Sequence, residues 1–234
     1  MHRWMHRPII AAMAVFCAVT AADASWEESA SPYDVKRLSQ LDEARSRGLS
    51  EAESGRHAAL IRAVLERPQI ALSGEELEGA WRCRMIKLGG MTPDMVYSWF
   101  SCRIGERDGH LWFEKSGTQR LNGSLYRHDQ GGYVLLGAYS TKAEPNHRYS
   151  GNEPSAGAPA TPDDAVGLLV ATGLYSARIE LPYPVQESVF DVIEMQRGDG
   201  SAHSHRRAAP AKPGAPSHPH AAPAKPASAH WEPK

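Results

Sequence analysis

Two cysteines constrain this chain more than any other feature. Cys83 and Cys102 each sit in a stretch whose side chains alternate in character. A period of two is the mark of a β-strand with one buried face. Over residues 81–87, Trp81, Cys83 and Met85 share one face, and Arg82, Arg84 and Ile86 the other. Over 95–104, Val96, Ser98, Phe100, Cys102 and Ile104 share one face, and Tyr97, Trp99, Ser101 and Arg103 the other. A disulfide would pin these strands as a hairpin, with Cys83 opposite Cys102, Met85 opposite Phe100 and Trp81 opposite Ile104. Those faces are the core candidates. The same register sets Arg82 beside Arg103 and Arg84 opposite Ser101, on a basic and aromatic face.

Whether the thiols pair depends on the compartment. Arg3 and Arg7 form a basic start, residues 8–19 a short apolar run, and Ala22-Asp23-Ala24 a cleavage site. This is the layout of a secretory signal peptide cut near Ala24, and it predicts a periplasmic or secreted chain. An uncut anchor is the alternative. Cys17 would be the acylated residue of a lipoprotein, but the bulky Phe16 before it argues against that. In an oxidising compartment Cys83 and Cys102 are expected to pair. Two cysteines cannot complete a four-ligand zinc site, and there is no C-x-x-C spacing. Closing a loop of this size stabilises a fold by about 3 kcal/mol in the chain-entropy model.

The remaining chain divides by composition. Residues 1–24 are the leader and 25–75 a helical segment. Residues 79–197 read as an antiparallel β-barrel domain, and 198–234 as a disordered tail rich in Ala, Pro, His and Lys. In the helical segment Val35, Leu38 and Leu41, then Ala59, Ile61, Val64 and Leu65, recur at helical spacing, predicting two or three helices. Ser31-Pro32 is a start signal, Arg47-Gly48 a stop, and Ser50-x-x-Glu53 resembles a capping box. These helices are expected to pack on the barrel or plug one end. Strands are predicted at 81–87, 95–104, 110–115, 118–127, 132–139, 165–171, 174–181 and 188–196. Eight strands on mostly short turns fit an up-and-down barrel; a two-sheet sandwich is the alternative. The connection at 141–164 is long, Pro- and Gly-rich and without periodicity, as in a mobile insertion. No apolar run reaches the roughly 20 residues of a membrane span. A net charge of −1 exerts no global pull toward nucleic acid. The tail's five histidines (His203, His205, His218, His220 and His230) have no metal-site spacing, and a spacer or weakly cationic surface-binding tail is the expected role.

The middle of the chain resembles the family known as domain of unknown function 4893. The matching residues are Gly79-x-Trp81-Arg82-Cys83-Arg84 with Lys87-x-Gly89-Gly90, Tyr97-x-Trp99-Phe100-x-Cys102-Arg103-Ile104 and Glu114-Lys115-x-Gly117-x-Gln119-Arg120-x-x-Gly123. Gly137-Ala138, Gly167, Leu181-Pro182-x-Pro184 and Glu187-Ser188-x-x-Asp191-x-x-Glu194 follow. The likeness spans roughly 31–195, departs at Ser116 and Thr118, and excludes the tail. It implies an exported bacterial protein with a helical start and a β-rich remainder, and it implies no activity. Gly79-Ala80-Trp81 is also similar to the G-x-W that opens lipocalin-like barrels, a short signal that fixes no ligand.

Three constellations bear on function. Arg82, Arg84, Arg103 and Arg120 could converge on an anion, since guanidinium matches carboxylate and phosphate. The structural reading pairs Arg82 and Arg84 with Asp191 and Glu194 across the closed barrel, and is favoured. The turn from Glu114 through Lys115 and Gln119 to Arg120 is dense in polar groups. It is read as a hydrogen-bonded hairpin, as part of a ligand-binding mouth, or as an enzyme site with Glu114 as general acid or base. The aromatics Trp81, Trp99, Phe100, Trp112, Phe113, Tyr126 and Tyr133 form either core or a sugar-stacking pocket. No G-x-S-x-G, Walker A or H-E-x-x-H motif occurs. No metal site and no cofactor are expected.

The leading expectation is a non-enzymatic binding or structural protein of the cell envelope. It would take a small apolar or anionic ligand, or an envelope protein, at the barrel mouth. The expected ligand residues are Arg82, Arg84, Arg103, Glu114, Lys115, Gln119 and Arg120. An envelope hydrolase using Glu114, and an inhibitor or accessory protein docking through its arginine face, are the alternatives.

Overall fold

A computed structural model describes residues 25–107, 109–151 and 161–198. The expected leader and tail lie outside the described residues. The strands are β1 (Gly79–Leu88), β2 (Asp94–Val96), β3 (Phe100–Arg107), β4 (His110–Lys115), β5 (Gln119–Arg127), β6 (Tyr133–Thr141), β7 (Asp164–Gly173), β8 (Ser176–Pro182) and β9 (Phe190–Gln196). From β3 to β9 each pairs antiparallel with the next, and β1 pairs with β3. Closure comes from β9, which returns to β1 from Arg82↔Gln196 to Leu88↔Phe190. The result is a closed eight-stranded barrel, with β2 a short addition on the far half of β1. One continuous closed sheet excludes the sandwich alternative and removes exposed edges.

The strand expected at 95–104 is broken in two. Residues 97–99 interrupt it, and the Tyr97 N–H donates to the Met85 carbonyl at 2.9 Å. The pairing shifts by one residue across this break. An extra residue moves a side chain to the other face. Val96 accordingly packs outside with Ile86 and Leu88, while Phe100, Cys102 and Ile104 face the interior.

The hairpin register also differs from the expected one. Cys83 lies opposite Phe100, Trp81 opposite Cys102 and Gly79 opposite Ile104. The Cys83–Cys102 disulfide therefore joins diagonal neighbours on one face, with a Cα–Cα distance of 5.8 Å. Strand twist brings one diagonal within the span a disulfide needs, so direct opposition is not required. Arg82 thus faces Ser101, and Arg103 faces Ala80.

The N-terminal segment forms five short helices rather than two or three. They are α1 (Trp26–Ser29), α2 (Pro32–Ser39), α3 (Leu41–Glu51), α4 (Ala58–Leu65) and α5 (Gly74–Leu77). Ser31 caps α2, its hydroxyl accepting from the Asp34 N–H at 3.1 Å, with Pro32 in the first turn. Gly48 does not stop α3. It lies inside the helix because α3 crosses the sheet closely there: a Cβ at Gly48 would stand 2.7 Å from Phe190 Cβ. Ser50 is likewise within α3, and the capping box is instead Ser73 with Glu76, opening α5.

Both expected helix roles occur. Ile61, Val64 and Leu65 of α4 and Ala44 of α3 pack outside on Ile86, Leu88, Phe190 and Val192. Trp26 and Leu38 pack outside on Val134, Leu136 and Val166. Leu77 of α5 joins the interior cluster with Trp81, and accepts the Trp81 indole N–H on its carbonyl at 2.9 Å. Arg197 covers Trp81 at 4.4 Å. This end of the barrel is plugged. The interior cluster fills the middle of the barrel.

Gly48→Ala is expected to destabilise the fold by about 1–3 kcal/mol through overpacking. An exposed helical glycine would instead gain roughly 1 kcal/mol from the same change. Urea unfolding decides between the two.

Candidate functional site at the barrel mouth

At the open end the apolar alternation of several strands terminates in polar groups. Lys87 continues the inward row of Trp81, Cys83 and Met85 on β1. Lys115 continues Leu111 and Phe113 on β4, and Tyr139 continues Tyr133 and Leu135 on β6. Asp191 precedes Ile193 and Met195 on β9. Gln119 stands at the same end of β5. Closure of the barrel brings these strand ends together, and Lys87 is the direct ladder partner of Asp191.

Their electrostatics are uneven. The Lys87 ammonium donates to Glu187 at 2.7 Å. Burial works against its charge, but Glu187 and Asp191 outweigh it and raise its pKa above the ordinary lysine value. Lys115 is 5 % exposed, donates to the Gln119 carbonyl at 2.6 Å, and lies 4.9 Å from the centre of the Phe100 ring. Among the described residues no carboxylate pairs with it. Burial, and then the like charge of Lys87, lower its pKa to about 8. Asp191 is almost fully buried and accepts one hydrogen bond from the Ser188 hydroxyl at 2.6 Å. Burial raises its pKa to about 7. Burial and the neighbouring Asp191 push the Tyr139 phenol up, so it stays a neutral hydrogen-bonding group.

A cavity of about 240 Å³ opens here. Lys87, Gln119, Tyr139, Leu181 and Asp191 line it together with Arg37 and the carboxylates of Glu144, Asp163 and Asp164, and Val185 and Gln186 come from the β8–β9 loop. Lys115 lies behind Gln119 rather than on the lining. Ser140 lies on its wall, 3 % exposed, with its hydroxyl unpartnered among the described residues. The cationic groups on the lining are Lys87, which also bonds Glu187, and Arg37, while Tyr139, Ser140 and protonated Asp191 offer hydrogen bonds.

Of the seven residues expected from sequence, Gln119 lines the cavity and Lys115 lies just behind it, on the inward face of β4. The other five are on the outer wall. Arg84 donates to Glu194 at 2.7 Å and Arg82 to Gln196 at 2.7 Å, and both guanidiniums lie over Trp99 at 4.7 and 4.5 Å. Arg103 is exposed opposite Glu114 in the β3–β4 ladder. Glu114 itself pairs with Arg107 at 2.7 Å. Arg120 donates to the carbonyls of Thr141 and Glu144. The expected pairing across the closed barrel occurs for Arg84 with Glu194. It does not occur for Asp191, which has the opposite parity on β9 and points inward. Lys87, Tyr139 and Asp191 line the cavity and lie outside the set expected from sequence. The signal for Lys87 was present: it is the charged member of an otherwise apolar row.

The chain matches, over residues 26–195, the family model described as a domain of unknown function, DUF4893. The chain belongs to this family. The match starts at the first residue of α1 and ends within β9, so the DUF4893 domain comprises the helices and the barrel together. The plug, the mouth and the outer wall all fall inside it. No curated protein and no solved structure matches the chain, so the lipocalin-like similarity has no relative to support it. Among the described residues of the DUF4893 domain, no three His, Cys, Asp or Glu side chains gather as for a metal ion.

Asp191 sets a pH prediction. Its folded pKa lies above its unfolded value, so between about pH 4 and 7 the folded state binds the extra proton. Stability contributed by this group is full below pH 4 and is lost as pH rises through about 7. Asp191→Asn should flatten that decline in thermal melts recorded against pH. On the outer wall, Glu194→Gln leaves Arg84 and Arg67 without their shared carboxylate. Because both arginines keep some solvent contact, the expected loss is about 2–3 kcal/mol in urea unfolding.

Proposed function

We propose that this DUF4893 protein is an exported, non-enzymatic binding protein of the cell envelope that holds a small anionic ligand at the barrel mouth. The observation that carries the reading is the Lys115 ammonium, buried just behind the cavity-lining Gln119 and Lys87 and paired with no carboxylate among the described residues. A buried charge without a partner is costly, and its pKa falls in consequence. A ligand carboxylate or phosphate would supply the missing countercharge, and Lys87 would add to it. Tyr139, Ser140 and Asp191 would hold the ligand's uncharged polar groups. The cavity is smaller than the roughly 300–1,000 Å³ of drug-sized pockets, which suits a compact ligand. Export rests on the signal-peptide pattern at the N-terminus, and the Cys83–Cys102 disulfide is in keeping with an oxidising compartment. Glu114, the base of the alternative hydrolase reading, sits on the outer wall paired with Arg107, which favours binding over catalysis.

The test is a thermal-shift and calorimetric titration with inorganic phosphate and a panel of small mono- and dicarboxylates. At least one should stabilise the protein, and Lys115→Met should weaken it at least tenfold while the protein stays folded. Stabilisation by none, or equal binding by the Lys115→Met protein, would refute the reading. Rising pH neutralises Lys115 and ionises Asp191, and both changes oppose an anion. Affinity should therefore fall as pH rises from about 7 past about 8.

A further inference from the structure

The helices pack mainly on β7, β8, β9 and β1. Beyond that cover, the outer faces of β4 and β5 carry polar and aromatic side chains. A second groove, of about 520 Å³, lies there, separate from the mouth. Ser124 and Gly123 lie along it, and Trp112 is the ladder partner of Ser124. Tyr126, Asn122, Arg107 and Arg148 also line it.

Three observations point to a ligand. The Trp112 indole N–H is shielded from solvent and has no hydrogen-bond partner among the described residues. Leaving such a donor unmade costs about 1–3 kcal/mol, which an acceptor entering beside it would recover. Trp112 and Tyr126 are both half-buried, offering apolar ring surface in an otherwise polar groove. Arg148 is exposed and pairs with no carboxylate among the described residues, while Arg107 stacks on Trp112 at 4.3 Å. Ring surface beside an unpartnered indole N–H and a guanidinium suits a sugar ring, which presents C–H faces and hydroxyl edges at once. Two arginines are too few for the basic stripe that nucleic acid requires, and the polar lining does not suit a lipid chain.

We propose that this outer groove binds a short acidic oligosaccharide, with Trp112 and Tyr126 as ring contacts, the Trp112 N–H as a hydroxyl partner, and Arg148 facing the sugar carboxylate. This site is distinct from the mouth and does not depend on it.

The test uses the full chain, a trisaccharide of galacturonic acid and, for comparison, neutral maltotriose. In proton–nitrogen NMR spectra the Trp112 indole resonance is the one lost in Trp112→Phe. The acidic trisaccharide should shift that resonance, and maltotriose should bind at least fivefold more weakly. Ser124→Leu, which fills the groove, should cut affinity at least tenfold without lowering the melting temperature. Arg148→Gln, on an exposed side chain, provides a second folded variant and should remove the preference for the acidic sugar. Lys115→Met should bind the trisaccharide as wild type does. An unmoved Trp112 resonance at millimolar trisaccharide, equal binding of both sugars, or loss of binding in Lys115→Met would each overturn the proposal.

Discussion

The structure depends on the closure of β9 onto β1. β1 carries three strand partners along its length: β3 on its first half, β2 on its second, and β9 along the other edge. Its inward face supplies Trp81, Cys83 and Met85 to the interior, and its outward face gives Ile86 and Leu88 to the helices. Removing the β1–β9 ladder would open two edges, expose the helix-covered core and separate Lys87 from Asp191. The disulfide reinforces the same strand from its other side, holding β1 to β3.

Charge is buried in two ways. On the outer wall it is paired. Glu180 lies between Arg45 and Arg178, and Glu194 between Arg67 and Arg84. Such pairs stabilise little in net terms, yet they forbid the loss of one partner and so fix how helices sit on the sheet. At the mouth the arrangement is incomplete. Lys115 is held by a carbonyl and an aromatic ring, and Asp191 by a single hydroxyl. Groups held this way have pKa values displaced toward neutrality, a condition more often met at binding sites than in structural pairs. The wall's buried charges are paired, whereas Lys115 and Asp191 at the mouth have no ion-pair partner among the described residues.

Strand alternation was legible because period two survives in residues whose faces differ strongly. It separated the core row Trp81, Cys83 and Met85 from Arg82 and Arg84, and the turns marked most strand ends. Register was not legible, since a disulfide accepts diagonal as well as opposed positions, and the break at 97–99 leaves no composition signal. Gly48 was misread because a glycine that stops a helix and one that admits a neighbouring strand look identical in one dimension. Local density misled the site assignment too. The run from Glu114 to Arg120 is conspicuous, but neighbours along a strand point to opposite faces, so Lys115 and Gln119 face the mouth while Glu114 and Arg120 do not.

By itself the sequence determined the class of fold, the inward row Trp81, Cys83 and Met85 of β1 and the family to which the chain belongs. These follow from local properties: alternation, turn residues and motif spacing. Only the tertiary structure decided which ends of which strands meet. Lys87, Lys115, Tyr139 and Asp191 lie on four different strands, and no local rule relates them. Barrel closure places them at one rim, where burial shifts the titration of Lys115 and Asp191.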